Sequence, residues 1–561
     1  MTSQASPQHF DAIVIGSGFG GSVSAYRLAE AGKTVCILER GRAYPPGSFP
    51  RSPYKMRDNF WDPDAGLYGL FDVWSFRHIA SLVSAGLGGG SLIYANVLLR
   101  KDERWFVHDR RAGYGHEDWP VTRAELDPHY DNVENIIRPQ RYPFEEPPYD
   151  QTPKTIALQE AALANGLDWF LPPLAVTFAN KGRRPIPGQR IDEETRNLHD
   201  RDRYTCQLVG ECDVGCNYGS KNSLDFNYLT LASKKYGAEI CTGADVKALA
   251  PRNDRGYEVT YEQRPPDPTE SPRRVTVTCD KLVVSAGTFG TTYLLLKHKK
   301  ALGLSDALGK GFSGNGDTLG LIFHARNASD EARVLDANYG PVIASTIRVD
   351  DQLDGGPQGR GFYIQDAGYP AFASWLAEYA SPLARLRALG RTGRFAARRY
   401  LSRYSSDPAS RLGAAVRELI GDCEFTKATM PLLGMGRDMP GGEMSLVEGQ
   451  LELNWNEKAS DAYFSRVTET MSKIASTLRG RYRNDPVWAL HKYLITVHPL
   501  GGARMGRAET DGVVDSFGEV FGHPDLHIAD GSIMPGPVGP NPSLTIAALA
   551  DRGAEHLIEN W

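Results

Sequence analysis

The chain has 561 residues, of which 41% are hydrophobic and 23% charged, and its formal net charge is −5. That length allows about two to four domains, and the near-balanced charge gives no footing for a nucleic-acid partner. No stretch approaches about 18 uninterrupted apolar residues, so no membrane span is expected.

The N-terminal MTSQASPQHF lacks a basic region followed by an apolar run, which is not the pattern of a signal peptide. Seven cysteines are too few for a disulfide framework in a chain this long. Both features point to a reducing, cytoplasmic setting.

Phe10, Ala12, Val14 and the residues between them form a short apolar run, expected as a buried strand. Gly16, Gly18 and Gly21 follow as G-x-G-x-x-G. Gly16 permits a tight turn, Gly18 lets the backbone approach a pyrophosphate, and Gly21 lets the next helix pack close to the sheet. That helix is expected over about 22–31, with its free N-terminal amides directed at phosphates. A second strand, over 34–38, ends at Glu39, the distance expected of a carboxylate that accepts ribose hydroxyls. The combination predicts dinucleotide binding and leaves FAD and NAD both open.

Further along, the proline-rich segments 139–150 and 265–272 read as breaks. The second is expected to be the loop of a hairpin between strands near 257–263 and 275–279. Cys206, Cys212 and Cys216 are spaced C-x5-C-x3-C. Crowded thiolates are natural iron–sulfur or zinc ligands, and three of them suit a [3Fe–4S] cluster better than a four-ligand zinc site. The alternative is reduced thiols in a glycine-rich turn.

The insert 371–420 combines Trp375, Tyr379, Leu383 and Leu386 at helical spacing with a basic face of Arg385, Arg387, Arg391, Arg394, Arg398, Arg399 and Arg403. Such a helix packs its apolar stripe on the protein, lies on an anionic membrane surface, covers a site as a lid, or docks a redox partner. Near the C-terminus, His498 precedes Pro499 and a glycine pair, and histidine suits proton transfer because its ordinary pKa lies near 6.5. Asp530 and Gly531 follow an apolar strand over 526–529. Asn541, before Pro542 and LTIAALADR, fits a helix N-cap as well as an active-site amide. No internal repeat is present.

Four of these segments carry a resemblance. AGLGGGSLIYAN (85–96), VVSAGTFGTTYLLL (283–296), HPLGG and the DGS…VGPNPSLTIAALADR tail resemble the glucose–methanol–choline oxidoreductases, most closely their cholesterol-oxidase-like branch. The resemblance implies an α/β and α+β fold: a Rossmann-type FAD domain (1–110, 205–325 and 490–561) interleaved with a substrate domain on an antiparallel sheet (111–204 and 326–489). It implies cofactor contacts from Gly88, Gly89, Gly90, Ser91, Asn96, Val246, Ala286, Gly287, Asp530, Gly531 and Asn541. It makes His498 and Asn541 the active-site pair of a hydride transfer from a bulky hydrophobic alcohol, a sterol or other lipid-like one, to flavin N5.

FAD is expected to be non-covalent, because Ser91-Leu92-Ile93-Tyr94 supplies no histidine for attachment. Gln365 falls where those enzymes carry a glutamate linked to steroid isomerisation. Its neighbour Asp366 faces the other side of a regular strand, which leaves His498 as the base, and the departure at Gln365 puts isomerase activity and sterol specificity in doubt. The resemblance extends to certain sugar dehydrogenases that hold a [3Fe–4S] cluster on the same cysteine spacing. Oxygen, a quinone or a redox partner would otherwise take the electrons. On this scaffold the competing functions are an FAD-containing lyase or photodecarboxylase and a non-catalytic electron-transfer flavoprotein.

Overall fold

The computed structural model describes residues 7–109, 115–253, 255–265, 270–355, 359–369, 427–484 and 494–561. The insert at 371–420 lies outside them. No helix among the described residues is long and apolar enough to cross a membrane.

The first apolar run is a strand, Gln8–Ile15, flanked in parallel by Val35–Glu39 and Arg273–Val284. Ala12, Ile13 and Val14 have no exposed surface, and all five residues of Val35–Glu39 are buried. Burial on both faces explains the unbroken apolar sequence of these strands. The sheet has seven strands, with Glu239–Thr242 at one edge and the antiparallel strands Tyr257–Gln263 and Ala244–Pro251 at the other. The hairpin expected at 257–279 is present, and its second strand runs longer, over Arg273–Val284. Leu526–Ile528 adds in parallel beside Leu282–Val284. The chain therefore returns near its end to complete the sheet on which it began.

The helix after the glycine turn spans Phe19–Glu30 and buries ten of its residues. Val23 and Leu28 share one apolar core with Leu544, Ala547 and Leu549 of the C-terminal helix Ser543–Glu559. Gly18 caps the first helix without a side-chain bond, so its first-turn amides have no side-chain partner at the cap.

A second sheet of six antiparallel strands has the order Asp168–Phe170, Thr346–Val349, Phe362–Asp366, Met430–Gly436, Thr318–Phe323, Arg481–Asn484. Alternation divides its faces. Ile347, Phe362, Ile364 and Leu432 pack with Ala157, Leu158, Val467 and Met471 of helices Pro153–Ala164 and Asp461–Thr477. Leu319 and Leu433, on the opposite face, line a large cavity. A three-stranded sheet of Phe71–Ser75, Ile79–Ser84 and Leu494–Thr496 brings Trp74, Leu82 and Ile495 to that same cavity.

Candidate active site

The cavity has a volume of about 810 Å³ and is walled by both large sheets, within the usual range for a ligand or cofactor site. Gly16, Gly18, Glu39, Gly89, Gly90, Val246, Ala286, Gly287, Asp530, Gly531, His498 and Asn541 all reach its wall. Gly21, Gly88, Ser91 and Asn96 do not line it. Gly21 packs against the turn, where a Cβ would lie 2.1 Å from the Gly16 carbonyl. Gly88 donates its N–H to Ser17 Oγ (3.0 Å), and Ser91 Oγ accepts from Leu224 N (3.0 Å), so both brace the wall from behind. Asn96 is fully buried, and Tyr94 rather than Asn96 faces the cavity.

The dinucleotide half fits FAD. A Cβ at Gly18, Gly90 or Gly287 would meet no protein atom within 4 Å. The backbone there is bare toward the cavity, as close approach of a pyrophosphate demands. The Glu39 carboxylate is fixed by Ser17 N (3.1 Å), Ser17 Oγ (2.6 Å) and Gly41 N (2.8 Å), and it still lies on the wall. Asp530 is engaged within the protein. It accepts from Gly287 N (2.9 Å), Ser532 N (2.9 Å), Ser532 Oγ (2.6 Å) and Thr291 Oγ1. It thereby ties the glycine turn at 287 to the strand end at 530. Burial raises its carboxyl, and these four donors pull it back down.

Two side-chain pairs stand at the other end of the cavity, around His498 and Asn541. His498 Nδ1 lies 2.8 Å from Asp317 Oδ1. Asp317 Oδ2 accepts from Val497 N (2.8 Å), His498 N (3.2 Å) and Thr496 Oγ1 (2.9 Å). A carboxylate so placed takes the Nδ1 proton as its hydrogen bond, which leaves Nε2 of the neutral ring as the acceptor. Sequence reasoning missed Asp317. It stands 181 positions upstream, and only a place at the end of Gly-Asn-Gly-Asp sets it apart.

In the second pair, Gln365 Nε2 donates to Asn541 Oδ1 (2.8 Å), with both residues buried. Asn541 does not cap the C-terminal helix: that helix begins at Ser543, Pro542 is its cap residue, and no side chain bonds there. Its carboxamide is committed sideways to Gln365, which turns the Nδ2 donor away from the bond. Asp366, next along the strand, faces away. It accepts from Thr155 Oγ1 (2.6 Å), Ala344 N (2.9 Å) and Ser345 N (2.7 Å) and does not line the cavity. Asp213, also missed in the sequence, lies on the wall. Burial raises its carboxyl to about 6, and its Oδ1 has no hydrogen-bond partner.

Cys206, Cys212 and Cys216 line one small cavity, of about 20 Å³, together with Lys221. That is room for about one water molecule. Burial raises the thiols of Cys206 and Cys212, which favours the protonated form over a ligating thiolate. Among the described residues no group of three or more His, Cys, Asp or Glu side chains is disposed to hold a metal ion. The expected [3Fe–4S] ligand set does not fit these residues, because the three thiols close on a space far smaller than a cluster.

Two family models, both described as GMC oxidoreductase, match residues 10–313 and 455–550. Cholesterol oxidase of Mycobacterium tuberculosis (strain ATCC 25618 / H37Rv) is 28% identical over 557 residues, covering 97% of this chain and 90% of the relative. Cholesterol oxidase of Acinetobacter baumannii is 27% identical, covering 98% and 94%. The 2-methyl-1,2-propanediol dehydrogenase of Mycolicibacterium austroafricanum is 23% identical, covering 98% and 95%. In fold, the chain is similar to the crystal structure of pyridoxine 4-oxidase from Mesorbium loti, with a TM-score of 0.56 at 16% identity over 97% of this chain and 98% of that one. The matched models span more than half of the sequence, and the chain belongs to the GMC oxidoreductases, FAD-binding enzymes that oxidise or dehydrogenate alcohol groups.

Proposed function

We propose that this enzyme oxidises the hydroxyl of a bulky hydrophobic alcohol to a carbonyl, with a sterol as the first substrate to try. One observation carries the reading: His498, Asp317 and Asn541 line a single cavity whose remaining wall includes Trp74, Phe289, Leu319, Leu433, Ile495 and Val497, while Gln365 holds Asn541 from behind that wall. An apolar wall with a few convergent polar groups is the ordinary form of a site for a hydrophobic ligand. Bound FAD supplies the acceptor for the hydride from the carbinol carbon. His498 Nε2 takes the hydroxyl proton, and Asp317 compensates the imidazolium charge that results. Asn541 Nδ2 donates to the substrate oxygen and orients it. Two electrons and two protons thus leave the alcohol, as hydride and as proton on His498.

Gln365 has no carboxylate with which to move a proton along the substrate carbon chain. The expected product of a Δ5-3β-hydroxysterol is therefore the ketone with its double bond unmoved.

The test is anaerobic mixing of the flavin-loaded enzyme with cholesterol or 1-decanol in detergent micelles, following the visible absorbance of oxidised flavin. Bleaching with formation of ketone or aldehyde is expected. An unreduced flavin with every hydrophobic alcohol tried, alongside reduction by small polar alcohols, would overturn the substrate class. Reoxidation by oxygen with peroxide release then marks an oxidase, and reoxidation only by an added quinone or dye marks a dehydrogenase.

A further inference from the structure

His498 and Asn541 reach the cavity from separate stretches of chain, and neither hydrogen-bonds the other. Their segments are joined by two routes: backbone bonds from Gly501, Ala503 and Met505 to the carbonyls of Gly531, Ser532 and Ile533 (2.9, 3.0 and 2.8 Å), and the loop 313–317, Ser-Gly-Asn-Gly-Asp, which bonds nearer to both side chains. At its end stands Asp317, which holds His498. At its centre stands Asn315, with no exposed surface. Asn315 Oδ1 accepts from Gly539 N (2.9 Å), and its Nδ2 reaches the carbonyls of Pro540 (3.1 Å) and Gly539 (3.4 Å). One carboxamide thus grips, through three contacts, the two residues that precede Asn541. Asn315 holds φ at +54°, a left-handed conformation that asparagine tolerates better than most residues.

The loop itself is fixed from beneath. Asp438 Oδ2 accepts from Gly314 N (2.9 Å) and Gly316 N (3.1 Å), and Asp438 Oδ1 accepts from Ser313 Oγ. Ser313 Oγ in turn accepts from Asn315 N (3.0 Å). The backbone of Ser313 pairs in both directions with Leu500, two residues beyond His498, at 3.0 and 2.9 Å. On the far side of the 535–541 segment, buried Lys101 Nζ donates to the carbonyls of Pro537 (2.8 Å) and Val538 (2.9 Å). The segment carrying Asn541 is held by Lys101 and by Asn315, and among the described residues Asn315 is the one whose side chain bonds it to the loop that carries Asp317.

We propose that Asn315 is a positioning residue that sets the separation of His498 and Asn541, making loop 313–317 the gauge of the active site. The proposal rests on the reading of His498 and Asn541 as the reacting pair. Hydride and proton leave one carbinol in a common geometry, so the base and the donor to the same oxygen must be held to a fraction of an ångström. A misplacement of about 1 Å can cost on the order of a hundredfold in rate.

The test is a double-mutant cycle on the FAD-loaded enzyme, with Asn315→Gly, Asn541→Ala and the pair, read as the anaerobic rate of flavin reduction by the alcohol that the wild-type enzyme oxidises. Glycine removes the carboxamide without penalty at positive φ. The expected result is a fall of at least tenfold in the reduction rate for Asn315→Gly, less than threefold change in apparent Kd for the alcohol, and a double variant no slower than Asn541→Ala alone. A crystal structure of Asn315→Gly should show the Gln365–Asn541 contact broken or the Asn541 carboxamide displaced. Multiplicative losses in the pair, or an unchanged rate with Asn541 in place, would overturn the proposal. If Asn315→Gly does not retain FAD, Asn315→Asp is carried through the same cycle: it keeps an acceptor for Gly539 N and sets a carboxylate against the two carbonyls. A wild-type flavin that no alcohol reduces would instead remove the reading on which the proposal rests.

Discussion

If His498 is the base, as proposed, Asp317 sets which of its nitrogens is free to accept the proton. Its Oδ1 faces Nδ1 at 2.8 Å, and its Oδ2 is held by two backbone amides and Thr496. Asp317→Asn preserves the shape and most of those contacts but can place an amide N–H against Nδ1. The ring then carries its proton on Nε2 and cannot accept another there. A loss of about a thousandfold or more in the flavin-reduction rate is expected, with alcohol affinity changed only a few-fold, by the logic of carboxylate-oriented histidines elsewhere. Stopped-flow reduction over a range of alcohol concentrations separates the two quantities, and a variant within tenfold of wild type would show that Asp317 does not govern the tautomer. At this scale the sequence was legible where a side chain sits inside a local signature, as His498 does in His-Pro-Leu-Gly-Gly and Asn541 in Asn-Pro. It was silent on Asp317, which reaches His498 only because Thr318–Phe323 and Leu494–Thr496 bring distant segments together. It was also silent on the bond between Gln365 and Asn541, 176 positions apart.

Two glycines in one turn separate what an element requires of itself from what a ligand requires of it. Gly18 caps the helix Phe19–Glu30, and a Cβ there meets no protein atom within 4 Å. Gly20, two residues further and in the first turn of that helix, would place a Cβ 1.3 Å from the carbonyl oxygen of Ala529. Gly18→Ala is expected to fold with Tm near wild type and to bind FAD at least tenfold more weakly, read as flavin retained through dialysis and as a Kd by fluorescence titration. Gly20→Ala is expected to lose the folded state, since a backbone oxygen cannot yield as a side chain would; the destabilisation should exceed the ~3 kcal/mol of ordinary overpacking. Gly20→Ala with wild-type Tm would mean that the helix and the strand end at Ala529 are not in register. The G-x-G-x-x-G pattern exposes Gly16, Gly18 and Gly21 through their fixed spacing, although only Gly21 packs on a local partner, the Gly16 carbonyl, and Gly16 itself packs on Ser285. Gly20 lies outside the pattern, since its partner arrives with the strand Leu526–Ile528 from the other end of the chain. The same cause hid that strand's place in the sheet, while the hairpin at 257–284, a local unit, could be read directly.

That C-terminal strand also links the seven-stranded sheet to the stability of the whole molecule. His527 sits at its centre, 4% exposed, with neither ring nitrogen hydrogen-bonded and Glu519 Oε2 no nearer than 3.6 Å. Burial, followed by the charge of Lys281, lowers its pKa from the ordinary 6.5 to about 3, so the folded protein holds this ring neutral. In the unfolded chain the same ring takes up a proton below about pH 6.5, and between that value and about 3 only the unfolded state is protonated there. The contribution is therefore complete above pH 6.5 and falls as pH drops, by about 1.4 kcal/mol per unit once well below it. Between pH 7.5 and 5 the loss from His527 amounts to about 2 kcal/mol. His527→Leu removes the titrating group while keeping an apolar filling. Denaturant unfolding at the two pH values should show the wild-type protein losing about 2 kcal/mol more than the variant, whatever the other groups contribute to both. Equal losses would mean that water or a partner reaches the ring. Because His498, Asn541 and the strand carrying His527 all lie in the last 65 residues, acid that loosens this strand should release FAD before the antiparallel sheet unfolds. Flavin fluorescence, rising at a lower denaturant concentration at pH 5 than at pH 7.5 and by less in His527→Leu, would register that order.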